Sequence, residues 1–157
     1  MKGALAVAAL VMAAGGAPGG AAAQCSPERV TVQGGFGQAA FTVRVADDPA
    51  ERAQGLMHVE SMPTMEGMLF VYEAPGPASF WMENTLIPLD MLFAGADGTI
   101  TAIHENARPL DRTPIPGGDA VKFVLEINGG LARRLGIAVG DALQHPAIGN
   151  GAALPCR

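Results

Sequence analysis

Few of the groups that usually carry chemistry are present in this chain. It holds one tryptophan, one tyrosine, three histidines and two cysteines. There is no G-x-S-x-G elbow, no H-E-x-x-H pair and no glycine-rich phosphate loop, and His58, His104 and His145 fall in separate stretches. The common hydrolytic, zinc-dependent and nucleotide-binding signatures are therefore excluded. Basic residues are also scarce: ten against fifteen acids leave a formal charge of −5, or −6 if Lys2 departs with a leader. Nucleic-acid binding needs a basic stripe to displace counterions, so nucleic acid is not an expected partner. No repeat or heptad pattern occurs, and beyond the N-terminus no apolar run approaches the roughly 20 residues of a membrane-spanning helix.

The N-terminus carries a different signal. Met1-Lys2 forms a short basic region, Leu5 to Ala14 is an apolar run broken by Gly15, Gly16 and Pro18, and Ala21-Ala22-Ala23 satisfies the small-x-small rule. Residues 1–23 read as a signal peptide cleaved after Ala23. The mature chain, 24–157, is then a single domain, periplasmic or secreted and without a transmembrane segment. In that setting Cys25 and Cys156 allow one intramolecular disulfide joining the two ends. Closing so long a loop is worth on the order of 4 to 5 kcal/mol in the loop-entropy picture. Lipidation of Cys25 is the alternative, against which Gln24 stands where a small residue is wanted.

Strand patterns dominate the rest. "RVTVQ" and "AAFTVRVA" alternate with period two, putting Phe41, Val43 and Val45 on one face. A short helix follows, with Asp48 as N-cap, Pro49 in the first turn, Glu51 at capping-box spacing and Gly55 at its end. "GMLFVYE" predicts a strand covered on both faces, "APGPA" a turn, and "PLDMLFAGADGTITAIHEN" a hairpin turning at Asp97-Gly98. "RPLDRTPIPGG" reads as a surface loop and "AVKFVLEI" as a strand with Val121, Phe123, Leu125 and Ile127 inward. Asn128 is positioned to cap a second short helix bearing Leu131 and Leu135, ended by Gly136, before a last strand. The fold class is mainly β, with a minor α component: a small β-barrel or strongly coiled sheet of seven to eight short strands with two short helices.

Three blocks, "RAQGLMHVESMPTMEGMLFVY", "FWMENTLIPLDMLFAGADGTI" and "AVKFVLEINGGLARRLGIAVGDAL", resemble in order and spacing the domain-of-unknown-function family 192 (DUF192) over about residues 41–143. The resemblance implies a small bacterial or archaeal protein, often exported or anchored, with no established biochemical activity. This chain departs at Glu83, where members often carry lysine in F-W-M-K-N-T, and any anion-binding role resting on that cation is lost.

The segment "GLMHVESMPTMEGMLF" admits two readings. Met57, Met68, Met82 and Met91 sit in apolar runs, where unbranched thioethers fill gaps between aromatics. Alternatively Met57, His58, Met62, Met65 and Met68 form a soft set suited to Cu(I) in an exported protein. The remaining candidates are polar. Arg52, Trp81, Asn84, Thr85, Asp90 and Glu126 could line a small-ligand cleft, with Trp81 as an apolar wall. Asp90 interrupts an apolar strand and requires a partner, for which Arg52 is suited. His145 reads as an exposed loop residue. The expected role is a non-catalytic binding or accessory module for a small polar ligand or an envelope partner, with no cofactor and no catalytic residue assigned. The alternatives are the Cu(I) binder and a hydrolase centred on Asp90.

Overall fold

The computed structural model describes residues 25–156. The expected signal peptide and its cleavage site lie outside the described residues. Seven strands form one mostly antiparallel sheet: β1 (Arg29–Gly34), β2 (Gly37–Ala46), β3 (Glu66–Phe80), β4 (Leu89–Ala94), β5 (Ile100–Ala107), β6 (Ile115–Asn128) and β7 (Ala142–Gln144). Their spatial order is β5-β4-β6-β3-β2-β1-β7. The sheet curls into a half-barrel. Its two outer strands meet at one corner, where the Ile100 N–H donates to the Asp141 carbonyl at 2.8 Å and the Leu143 N–H to the Gly98 carbonyl at 2.9 Å. Only β2 and β3 run parallel. That pairing needs a crossover, which α1 (Pro49–Gln54) and the segment after it supply.

Local chemistry accounts for α1. The Asp48 side chain accepts from the Glu51 N–H at 2.8 Å, Pro49 takes the first turn, and the Gly55 N–H closes on the Glu51 carbonyl. Glu51 reaches back to the amide of Asp47, one residue beyond the position a capping box uses. α2 (Leu131–Leu135) ends as expected, with the N–H groups of Gly136 and Ile137 both returning to the Ala132 carbonyl. Its start differs. Asn128 does not cap it; the Asn128 amide donates to the Met62 and Pro63 carbonyls, and the cap comes from Asp90. A short 3-10 helix (Pro146–Gly151) follows β7.

Two expected loops are strand. β3 runs through "APGPA" to Phe80, paired to β6 with register shifts between Val71 and Ser79. β2 stops pairing at Phe70, so this half of β3 has an open edge on which prolines cost no ladder bond. β6 likewise begins at Ile115 and takes in Pro116, Gly117 and Gly118.

Burial on both faces of β4 and β6 divides the apolar residues into two clusters. One, inside the curl, gathers Val30, Phe41, Leu69, Leu92, Phe123, Leu125, Ile127 and Leu143. The other, on the outer face and under the long loops, gathers Leu56, Met68, Phe70, Met82, Met91, Phe93 and Val124. Cys25 and Cys156 are joined, their Cα atoms 5.6 Å apart. His145, expected to be exposed, is buried at 4 % exposure beside this clasp. Its Nδ1 accepts from the Ala147 N–H, which leaves Nε2 to donate to the Pro27 carbonyl at 2.9 Å and tie the residue after β7 to the segment before β1. No helix among the described residues is long and apolar enough to cross a membrane.

Candidate functional site

The cleft that gathers most of the polar candidates is built on the outer face of β6 and β3. In register, Glu126 lies between Met68 of β3 and Met91 of β4, and Val124 lies between Phe70 and Phe93. Period two on β3 then carries the row from Met68 through Phe70 to Tyr72 on the face that Glu126 shares. The strands approach closely here: a Cβ on Gly67 would stand 2.3 Å from the Glu126 carbonyl oxygen. Phe80 closes the wall, edge-on to Phe70 at 5.1 Å and to Phe93 at 5.7 Å between ring centres.

The result is a cleft of about 240 Å³ with Arg52, Met57, Tyr72, Trp81 and Thr85 around it and Glu126 as its buried acid. Glu126 is 4 % exposed. Burial raises its pKa from 4.5 to about 8, with no hydrogen bond or opposing charge offsetting the shift. Its oxygens are not sealed off, because every fully enclosed polar side-chain atom among the described residues has a partner. Burial thus favours the neutral form of this carboxyl, which lines the cleft and has no hydrogen-bond partner among the described residues.

Arg52 lines the cleft next to Tyr72. Its Nη1 donates to the carbonyls of Asp47 and Val71, at 2.6 and 2.9 Å, and its guanidinium lies 5.1 Å from the Tyr72 ring centre. Tyr72 feels both charges: burial raises its pKa, Arg52 opposes that and Glu126 adds to it. Glu83, on the rim, is paired with Arg112 at 3.0 Å, and Arg112 also lies over Trp81. This rim acid is therefore answered by a cation from the loop between β5 and β6.

Of the six polar candidates, Arg52, Trp81, Thr85 and Glu126 line this cleft. Asn84 lies beside it, exposed, with its carbonyl taken by the His58 N–H and its amide 3.9 Å from the Met57 sulfur. Asp90 is elsewhere. It is fully buried, and its Oδ1 accepts from the N–H groups of Asn106 and Gly130, both at 2.7 Å, while Oδ2 accepts from Ala132 at 2.8 Å. Backbone amides, not Arg52, are its partners, and the carboxylate is committed to holding α2 and the end of β5. Tyr72, Phe80 and the Phe70 wall were missed; the alternation of "MLFVY" opposite "VLEI" was the available signal.

The methionines separate in the same way. Met68, Met82 and Met91 are in the core, whereas Met65 is 38 % exposed. Met57 faces the Glu126 cleft, Met62 lines a cleft beside Ser61 and Pro63, and Met68 borders a third groove; His58 is exposed. The five candidate Cu(I) ligands are not brought into one cleft. The third groove, about 680 Å³, is larger but shallow, lined by strand residues such as Thr42 and Arg44 with Glu51 and Gln54, and holds no buried unpartnered group.

The family model for DUF192, described as an uncharacterised group, matches residues 30–145, and the chain belongs to that family. Two solved structures are similar to it. A protein of unknown function from Novosphingobium aromaticivorans DSM 12444 shares 47 % identity over 73 % of this chain and 82 % of that one, with a TM-score of 0.72. A protein from Sinorhizobium meliloti 1021, named as a proposed transcription regulator, shares 42 % identity over 79 % of this chain and 97 % of that one, with a TM-score of 0.75. No curated protein matches.

Proposed function

We propose that this protein is an exported, non-catalytic binding module that holds a small polar molecule in the Glu126 cleft. One observation carries the reading: a buried carboxyl, favoured in its neutral form and without a hydrogen-bond partner among the described residues, lines an aromatic-walled cleft. A buried polar group without a partner costs stability, so a ligand that supplies one recovers that cost on binding. The volume equals the share of about eight water molecules at ~30 Å³ each, which suits a ligand of amino-acid or single-sugar size. Export agrees with the clasp between Cys25 and Cys156. The printed name of the Sinorhizobium protein suggests transcriptional control, but an excess of acids over bases gives this chain no counter-charge for a phosphate backbone.

A thermal-shift panel of amino acids, sugars and peptidoglycan fragments tests the reading, run in parallel on Trp81→Ala. A ligand present at about a hundredfold over its Kd should raise the midpoint by several degrees, and Trp81→Ala should lose that rise. Silence across the panel would reject the cleft as a small-molecule site and favour an envelope protein as partner.

A further inference from the structure

We propose that the ligand of the Glu126 cleft is a small organic carboxylate, bound with its charged end between Arg52 and Glu126 and its apolar body against Trp81 and Phe80. This rests on the cleft reading above and names the chemistry it takes.

The polar groups around the cleft that remain free set the chemistry of its ligand. Arg52 uses Nη1 on two backbone carbonyls, which fixes the guanidinium and leaves Nη2 and Nε to donate. No carboxylate pairs with it among the described residues. Tyr72 lines the cleft within electrostatic reach of both Arg52 and Glu126, and its hydroxyl is a further donor. Thr85 is already committed, donating to the Glu83 carbonyl at 3.2 Å, and Glu83 is committed to Arg112. The free inventory at neutral pH is therefore a guanidinium fork, a phenol, a protonated acid and the neutral side chains of Gln54, Ser79 and Trp81, all able to donate and only the guanidinium charged. A planar, acceptor-rich anion complements that set; an ammonium would face Arg52 with no ionised acid left unpaired to hold it.

Protonation of Glu126 then becomes a condition of binding. The titratable and charged groups facing it are Arg52 from α1, Tyr72 from β3 and Glu83 from the loop after β3, the last with Arg112 beyond it; its register neighbours Met68 and Met91 are uncharged. When Glu126 ionises, near pH 8, a carboxylate in the cleft meets a like charge at close range and loses its donor.

Trp81 is the sole tryptophan, so its fluorescence reports the cleft directly. The probes are benzoate, benzamide and benzylamine, which share a ring and differ in head group. Benzoate at pH 6.5 should bind at least about tenfold more tightly than either partner. Its affinity should fall about tenfold between pH 6.5 and 9.5, the size expected from a shift of one pKa unit. Glu126→Gln, which keeps a neutral donor, should flatten that fall to within about twofold. Arg52→Met should weaken benzoate about tenfold and benzamide much less; Tyr72→Phe, which keeps the ring, serves as the second variant if Arg52→Met melts early, and should likewise weaken benzoate more than benzamide. Equal binding of the three probes, or a flat pH profile for benzoate, would overturn the carboxylate assignment while leaving the cleft in place. Failure of all three to perturb Trp81 would count against the cleft itself, and the assignment would fall with it.

Discussion

Asp90 of β4 caps the N-terminus of α2 from across the sheet, accepting the Ala132 N–H at 2.8 Å. The residue that would ordinarily do this, Gly130 at the N-cap, has no side chain and a φ of 77°. A helix of five residues cannot stand without help, and the help comes from a side chain of β4, the neighbour in the sheet of the β6 strand that precedes the helix.

Asp90→Asn should therefore unfold at markedly lower denaturant, by about 3 kcal/mol, because hydrogen bonds to a charged acceptor are each worth about 1.5 to 3 kcal/mol and the new amide turns an N–H toward backbone donors. Chemical denaturation measures it. The same variant should leave ligand binding in the Glu126 cleft unchanged wherever the protein is folded, since Asp90 does not line it. Loss of binding in folded Asp90→Asn would place this carboxylate back among the functional groups.

Gly67 tests the packing behind Glu126. With a Cβ 2.3 Å from a backbone oxygen of β6, Gly67→Ala has to push β3 and β6 apart. Overpacking of this kind costs about 1 to 3 kcal/mol. The shift should also open the cleft floor, so Trp81 emission should move to longer wavelength. An alanine variant as stable as the parent would mean the strands are less tightly apposed than described.

The clasp should contribute up to about 5 kcal/mol, since the disulfide spans 131 residues of sequence. Reduction, or Cys25→Ser with Cys156→Ser, should lower the urea midpoint accordingly. Beside the clasp, His145 adds a pH dependence. Its pKa is lowered, by burial above all, with its bond to Pro27 opposing. Stability from this group is thus complete above the unfolded value of about 6.5 and drains away as pH falls below it. His145→Asn should flatten that acid limb.

Glu126 acts with the opposite sign. Its folded pKa lies above the unfolded one, so the folded state binds the extra proton, and the stability this gives is complete below pH 4.5 and lost as pH rises to about 8. Glu126→Gln should stabilise the protein at pH 8.5 relative to pH 5 by on the order of 3 kcal/mol compared with the parent. A parallel pH profile for the two proteins would show that the carboxyl is already ionised, or already solvated, in the folded chain.

Much of the fold was legible where side-chain period and cap chemistry agree. Asp48, Pro49 and Gly55 bounded α1, the alternation of Phe41 and Val43 located β2, and the Asp97-Gly98 hairpin formed with Gly98 alone at positive φ, 83°. Proline and glycine misled at "APGPA" and "IPGG", because whether a proline breaks a strand depends on whether a neighbour wants its N–H, and the end of β2 pairing is not written locally. His145 was misplaced for a related reason: the partner of its buried ring nitrogen is Pro27, 118 residues away. At the site, residue type pointed to Arg52, Trp81, Thr85 and Glu126 but could not separate Asp90 from them. Both acids interrupt apolar strands; only the partners distinguish them, three amides for one and an open cleft for the other.

The protonation state of Glu126 can be read directly by following its side-chain carboxyl carbon by NMR in protein labelled at glutamate, with Glu126→Gln to assign the resonance. A midpoint of about 8 is expected, set by burial. A midpoint near 4.5 would contradict the existence of a neutral, unpartnered acid in the cleft, and with it the reason for a ligand there.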